Sequence, residues 1–272
     1  MGLGTDPGHG PAGKINGSPP PEEKQTIPAN RSGGKRVYPQ EAPGSPASFI
    51  FFRERKEQPL EKKALALFDF DGTMIRGDSI AAYVLFAFRR GKASLPYLGR
   101  LLFAFLSHAL RKKDLCALKT AALSFLSPLS LEQRRAFDRS FVLERLMPRV
   151  YPDAAACLAK CRREGKITVL ITASTENYMG FAAKALGFDA CLATPVDAQG
   201  RVTNNCKGEE KVRRLRLWLE ENEVEADTAS SCAYGDSKSD LPMLRFCGHA
   251  ALVNPKKALR RAAPDLPRLR WR

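Results

Sequence analysis

The sequence predicts an α/β fold, a doubly wound parallel sheet with an all-helical cap inserted after the first strand. Three observations predict it. Strand-like runs at 64–70, 167–171, 230–234 and 250–253 alternate with helix-like stretches, which is the signature of βαβ units. The runs at 64–70 and 167–171 are nearly continuous rather than alternating, as in strands buried on both faces. Between the first run and the second, residues 80–150 read as helix throughout.

Taken in order, residues 1–62 come first and do not read as a folded domain. About half of all prolines and glycines fall there, with Pro19-Pro20-Pro21 and Arg31-Ser32-Gly33-Gly34-Lys35 typical of the stretch. Such a segment cannot bury enough apolar surface to offset its ordering entropy, so a disordered tail is expected. Phe49-Ile50-Phe51-Phe52 is a short apolar exception, able to dock on the core or a partner. The N-terminus shows no basic region followed by an apolar one, so no signal peptide is expected.

The core is expected at 63–79 and 151–262, interrupted by the cap at 80–150. Arg76-Gly77-Asp78-Ser79 reads as a turn and helix cap before a helix at 80–90. Leu95–Leu110 is rich in Leu and Phe, yet too short and interrupted to cross a bilayer. Helical pattern resumes at 114–125 and again after Ser130, an N-cap candidate. Pro152 suits a first helical turn, and Gly165 a helix end. After the strand at 167–171, closed by Thr172-Ala173-Ser174, a helix is expected at 176–186 and ends at Gly187. Short strands at 190–196 and 201–203 flank the turn Asp197-Ala198-Gln199-Gly200, and a basic helix follows at 208–220. The strand at 230–234 runs into Gly235-Asp236-Ser237-Lys238-Ser239-Asp240, then a short helix at 241–246 and the last strand. Residues 263–272 read as a basic C-terminal tail.

The net charge of +15 implies anionic partners: phosphate esters, an anionic lipid surface or nucleic acid. No nucleic-acid-binding motif is present and few aromatics interleave the basic runs, so specific nucleic-acid binding is not expected. The seven cysteines include no C-x-x-C pair. They are expected to be reduced, buried and structural, as suits a cytoplasmic protein. Between Asp78 and Asp114 stand Arg89, Arg90, Lys92, Arg100, Arg111, Lys112 and Lys113, and no acid. Apolar side chains mixed with positive charge alone suit peripheral contact with an anionic membrane. A cap helix with a solvated basic rim is the plainer alternative.

The chemistry concentrates at Asp69-Phe70-Asp71-Gly72-Thr73, at the carboxyl end of the first strand, where open α/β sheets bind their ligands. A regular strand continued through Asp71 would point both carboxylates the same way. They would then repel unless a cation lay between them or one held a proton. A hard divalent ion such as Mg²⁺ suits such a pair.

These residues resemble the D-x-D-G-T signature of the haloacid dehalogenase (HAD) superfamily of phosphohydrolases, whose core is Rossmann-like. Three further motifs follow in the family's order: a hydroxyl closing a strand (Thr172), a lysine opening a helix, and Gly235-Asp236-Ser237-x-x-Asp240. The resemblance implies a Mg²⁺-dependent phosphatase in which Asp69 attacks phosphorus and carries an aspartyl-phosphate. It implies Asp71 as general acid and base, and Thr172, Ser174 and the lysine as phosphate ligands. It places the metal among Asp69, the main-chain carbonyl of Asp71, Asp236 and, through a water, Asp240. The lysine is Lys207 or Lys211; Lys211 is favoured because it matches the N-C-x-G-x-E-K-V pattern. The cap position is that of the phosphoserine phosphatase-like subfamily IB. Ile171-Thr172-Ala173-Ser174 and the segments 240–244, 246–249 and 253–255 are similar to phosphatidylglycerophosphatase C-type members. The implied substrate is a phosphate ester, either a lipid phosphate at the inner membrane face or phosphoserine or another small soluble ester. The rival class is a catalytically idle protein that binds anionic surfaces.

Overall fold

The computed structural model describes residues 62–111 and 115–272. The expectations for the N-terminal tail, for Phe49–Phe52 and for Lys112 and Lys113 fall outside the described residues.

Six strands form one parallel sheet: β1 (Lys63–Phe68), β2 (Ile167–Thr175), β3 (Ala190–Thr194), β4 (Ala226–Gly235), β5 (His249–Val253) and β6 (Arg268–Leu269), in the order β3-β2-β1-β4-β5-β6. The order reverses between β1 and β4, which makes the carboxyl ends of those two strands the switch point where such folds bind ligands. Along β1 the side chains alternate. Ala66 and Phe68 join one apolar cluster, and Leu65 and Leu67 join another. A strand with both faces buried must be apolar at every position, which is why this run is visible in the sequence.

One face is covered by α5 (Pro152–Arg163) and α6 (Glu176–Leu186). The other is covered by α7 (Glu209–Glu221), α8 (Leu241–Phe246) and α9 (Lys257–Ala262). The insertion supplies α1 (Ser79–Arg89), α2 (Leu95–Arg111), α3 (Leu115–Leu123) and α4 (Leu131–Phe141). Its caps are those the sequence names. Asp78 accepts from Ala81 N at the start of α1, and Ser130 with Gln133 forms a reciprocal box at the start of α4. Tyr83, Phe86, Phe125, Phe137 and Phe141 form a cluster of tilted and edge-to-face rings that meets Tyr178 of α6 through Tyr83 and Phe141 and knits the insertion to the core. The Tyr83 hydroxyl donates to buried Asp138, which also accepts from Asn177 Nδ2 at 2.9 Å.

The outward side of α2 is different. Leu95, Leu102, Phe103 and Leu106 recur at helical spacing and are 74, 57, 72 and 49% exposed, while Tyr97 faces inward. No helix among the described residues is long and apolar enough to cross a membrane.

Three expectations need correction. First, β1 ends at Phe68, not residue 70, so the strand argument for paired Asp69 and Asp71 fails. The chain turns immediately: Thr73, Met74 and Ile75 all donate their N–H to Phe70 O. Second, residues 263–272 are not a loose tail. Arg268–Leu269 adds β6 beside β5, and Trp271 is buried against Tyr234 with ring centroids 5.5 Å apart. Asn254 holds Trp271 through both its backbone N and O. Third, of the seven cysteines, all free thiols, Cys157 and Cys191 are only half buried.

Candidate active site

Each side chain of the site is delivered by the end of a strand or the start of a helix. Asp69 follows β1, and its N–H is held by Tyr234 O of β4 at 3.0 Å. Asp236 follows β4 directly, and Asp240 ends the short turn Lys238–Asp240. Lys211 lies in the first turn of α7. Although well over a hundred residues separate Asp69 from this lysine, the parallel register brings them into contact.

Lys211 is the centre of the arrangement. Its Nζ donates to Asp69 Oδ1 at 2.6 Å, Asp240 Oδ1 at 2.7 Å and Ile171 O at 2.9 Å. All three ammonium donors are therefore used, and the side chain is only 1% exposed. Burial opposes its charge, but Asp240 and Asp69 overcome that and hold its pKa above the usual lysine range. Asp240 is fixed from its other oxygen by Ser237 N at 2.9 Å and Ser237 Oγ at 2.7 Å. Its burial is outweighed by Lys211, so it stays ionised below the ordinary carboxylate range. Asp69 is pushed the other way, by burial and then by the charge of Asp240. Lys207 is exposed; of the two lysines left open by the sequence, Lys211 is the one at the cluster.

Asp236 is buried and raised in pKa by that burial. Its Oδ2 takes a counter-charge from Lys256 at 2.7 Å, a side chain otherwise 65% exposed. Gly72 makes this approach possible. Its φ is +82°, and a Cβ there would stand 2.3 Å from Asp236 Oδ2. One carboxylate oxygen each from Asp69, Asp236 and Asp240 lies within 4.8 Å of the others, and all three residues are buried.

Asp71 does not belong to that trio. Its Oδ1 accepts from Ser79 N at 2.7 Å, and its Oδ2 from Ser79 Oγ at 2.9 Å and Ser174 Oγ at 2.5 Å. Burial, followed by the charge of Asp78, pushes its pKa up to about 6 despite the Ser174 and Ser79 bonds. The Asp71 side chain thus stands apart from the three carboxylates that could share an ion; its main-chain carbonyl is the ligand the resemblance implies. Thr172 is buried, and its Oγ1 accepts from Ser174 N at 3.0 Å, so the strand end folds back on itself.

Sequence reasoning missed Ser79, Lys256 and Lys119, whose Nζ donates to Ala173 O between Thr172 and Ser174. It also gave no role to Thr73 of the first motif, whose Oγ1 donates to Asp69 Oδ2 at 3.3 Å. Ser79 was hidden because a serine beside a helix cap reads as part of the cap. Lys256 and Lys119 were hidden because an isolated lysine reads as solvated charge.

The profile of the haloacid dehalogenase-like hydrolases matches residues 66–245. The chain belongs to that family. Among proteins it is similar to, the histidinol-phosphatase of Neisseria meningitidis serogroup C is 28% identical over 221 residues, covering 75% of this chain and 96% of that protein. Phosphoserine phosphatase SerB1 of Mycobacterium tuberculosis is 27% identical over 229 residues, covering 77% and 71% respectively. A Bordetella pertussis protein of unknown function shares the fold with a TM-score of 0.68 at 24% identity, covering 76% of this chain and 98% of that one.

Proposed function

We propose that this hydrolase is a Mg²⁺-dependent phosphomonoesterase working through an aspartyl-phosphate on Asp69. The observation that carries the reading is the buried trio Asp69, Asp236 and Asp240 closed by Lys211. Three buried carboxylates, balanced by one buried lysine and one reaching in from solvent, are a donor set for a hard cation. Gly72 is what lets the Asp236 carboxylate close in on this loop, since a Cβ there would stand 2.3 Å from its Oδ2. Asp69 and Asp236 would hold the ion, with Asp240 behind them. When bound, the ion masks phosphate charge against the attacking carboxylate.

The chain's own residues supply the rest. Lys211 and Thr73 orient the Asp69 carboxylate by bonding one oxygen each, and Lys211 adds positive charge where the transferring phosphoryl group gathers negative charge. Thr172 and Ser174 lie at the end of β2; Thr172 would donate its hydroxyl to a phosphate oxygen, and Ser174 would do so by releasing its bond to Asp71. Asp71, with a pKa near 6, can hold a proton for the leaving alkoxide and then take one from the attacking water. Asp69→Asn is expected to cut p-nitrophenyl phosphate hydrolysis by roughly a thousandfold or more with an unchanged circular dichroism spectrum. EDTA is expected to do the same to the native chain. Activity that survives both treatments sinks the reading.

The outward face of α2 favours a second reading, of the substrate rather than the reaction: a phosphate ester carried in an anionic lipid surface. A helix facing water normally carries its charge on that side. Here that side is Leu and Phe, with Arg89, Lys92 and Arg100 exposed nearby and no acid between Asp78 and Asp114. Two relatives, a histidinol-phosphatase and a phosphoserine phosphatase, supply the soluble alternatives, histidinol phosphate and phosphoserine.

A further inference from the structure

Three of the seven thiols stand together between α5 and β4, and no step of the proposed phosphatase uses them. Cys157 and Cys161 lie one turn apart on the same side of α5. Cys232 lies on β4, and its sulfur is 3.8 Å from that of Cys161. Lys166 Nζ donates to the Cys232 sulfur at 3.9 Å. Cys161 and Cys232 are buried, while Cys157 is half-buried and within reach of small solutes.

The hydrogen bonds of the cluster run toward the accessible sulfur. Cys157 accepts from the Cys161 thiol and from the Tyr234 hydroxyl. The Cys161 bond first, then Tyr234 and the charge of Lys160, bring the Cys157 pKa down to about 7, against its burial and the charge of Cys232. The same bond pushes Cys161 up to about 11. Cys232, bonded to Cys161 and buried, is raised as well. Cys191 gives the contrast. It is also half-buried, yet burial pushes its thiol up to about 12. A thiol reacts as its thiolate, so exposure alone does not single out Cys157; its sulfur and phenol neighbours do.

We propose that Cys157, Cys161 and Cys232 form a thiol relay oxidised by a hydroperoxide, with Cys157 as the entry sulfur and a Cys161–Cys232 disulfide as the product. The Cys157 thiolate attacks one peroxide oxygen, the O–O bond breaks, and the other oxygen leaves and takes a proton to become water or an alcohol. Cys157 is then a sulfenic acid, oxidised by two electrons, and the peroxide is reduced by two. Cys161 attacks that sulfur; an S–S bond forms, the S–O bond breaks, and the hydroxyl leaves as water with the Cys161 proton. Cys232 then attacks Cys161, releases its own proton to solvent and displaces Cys157 as the thiolate. Cys157 leaves best of the three because its pKa is the lowest. Cys232 lies shortly before Tyr234, whose carbonyl holds the Asp69 N–H, so the product bond is made on the strand that positions the site. The relay does not depend on the phosphatase reading.

The test is oxidation of the full chain near neutral pH with equimolar hydrogen peroxide, followed by thiol blocking and mass spectrometry of unreduced peptides. The native chain is expected to yield the Cys161–Cys232 disulfide. Cys157→Ser is expected to slow its formation about tenfold or more, since the two remaining thiols are mostly protonated. Cys161→Ser removes the sulfur that captures the sulfenic acid, and is expected to trap a dimedone adduct on Cys157. The native chain also gives a reading that needs no variant: brief iodoacetamide treatment is expected to label Cys157 at least about tenfold faster than Cys191. The proposal is overturned if Cys191 is labelled as fast as Cys157, or if Cys161–Cys232 forms equally fast in Cys157→Ser. It is also overturned if peroxide leaves the three thiols reduced or gives only disulfides between copies of the chain.

Discussion

The carboxyl edge of the sheet and the outer face of α2 are built on opposite terms. At the sheet edge three carboxylates are buried around one lysine, and that lysine spends every donor. On α2, five large apolar side chains, Leu95, Leu102, Phe103, Phe105 and Leu106, are exposed, and nothing among the described residues covers them. Burying charge is tolerable only where geometry answers it, so residues from β1, α7 and the turn after β4 must all arrive together. Exposing apolar surface costs the fold little and leaves that surface open to meet something else. The comparison teaches that the chemistry is fixed by the core, while selectivity is free to be written on the insertion.

The sharpest way to break this comparison is at Lys211. Lys211→Ala leaves Asp69 and Asp240 facing each other without a counterion. It is expected to abolish turnover and to cost about 3–5 kcal/mol of stability without metal, read from urea unfolding in EDTA. A stability loss under 1 kcal/mol would mean that water reaches the cluster and the charges are not truly buried.

Gly72→Ala comes next. It forces a Cβ to 2.3 Å from Asp236 Oδ2 at a backbone angle that only glycine adopts readily. The expected result is a cost of about 1–3 kcal/mol and loss of the Mg²⁺-dependent rise in Tm. Gly77→Ala has a similar angle, φ +93°, but open space around it, so it should keep the Mg²⁺ response. Equal behaviour of the two variants would show that backbone strain, and not the close approach to Asp236, is what matters.

A smaller effect concerns pH. In the proposed mechanism proton donation needs Asp71 in its acid form, and its pKa is raised to about 6, so deprotonation above that value would remove the donor. For alkyl phosphates kcat/KM is expected to fall about tenfold per unit above pH 6. The fall should be shallower for p-nitrophenyl phosphate, whose leaving group needs little help. Asp71→Asn should erase the limb; a limb that persists belongs to another group.

The smallest expected effect is on α2. Leu102→Ser with Phe103→Ser should change stability by less than about 0.5 kcal/mol per site, as exposed positions do. The pair should nevertheless weaken sedimentation with anionic liposomes, which salt should weaken further as charges are screened. Native protein that ignores anionic liposomes at low salt would reduce this face to a bare surface and remove the lipid reading of the substrate.

The sequence by itself determined the parts of the molecule whose physics is local. β1 and β2 are legible because a strand buried on both faces reads as a nearly continuous apolar run. The caps at Asp78 and Ser130 are legible because a helix start needs a nearby oxygen acceptor. Asp69, Asp236 and Asp240 are legible because each closes or follows such a strand in a short motif. Only the tertiary structure decided what depends on partners far along the chain. It placed Lys211 rather than Lys207 at Asp69, because the first turn of α7 carries Lys211 into the sheet edge while Lys207 stands exposed before the helix begins. It turned Asp71 away from the carboxylate trio onto Ser79 and Ser174, because the backbone leaves the strand after Phe68. It made an edge strand of Arg268–Leu269, two residues too few for any periodicity to show. A lysine such as Lys119 or Lys256 carries no local mark of its role. Its meaning is set by what the fold brings within reach of its flexible side chain, and that is a property of three dimensions.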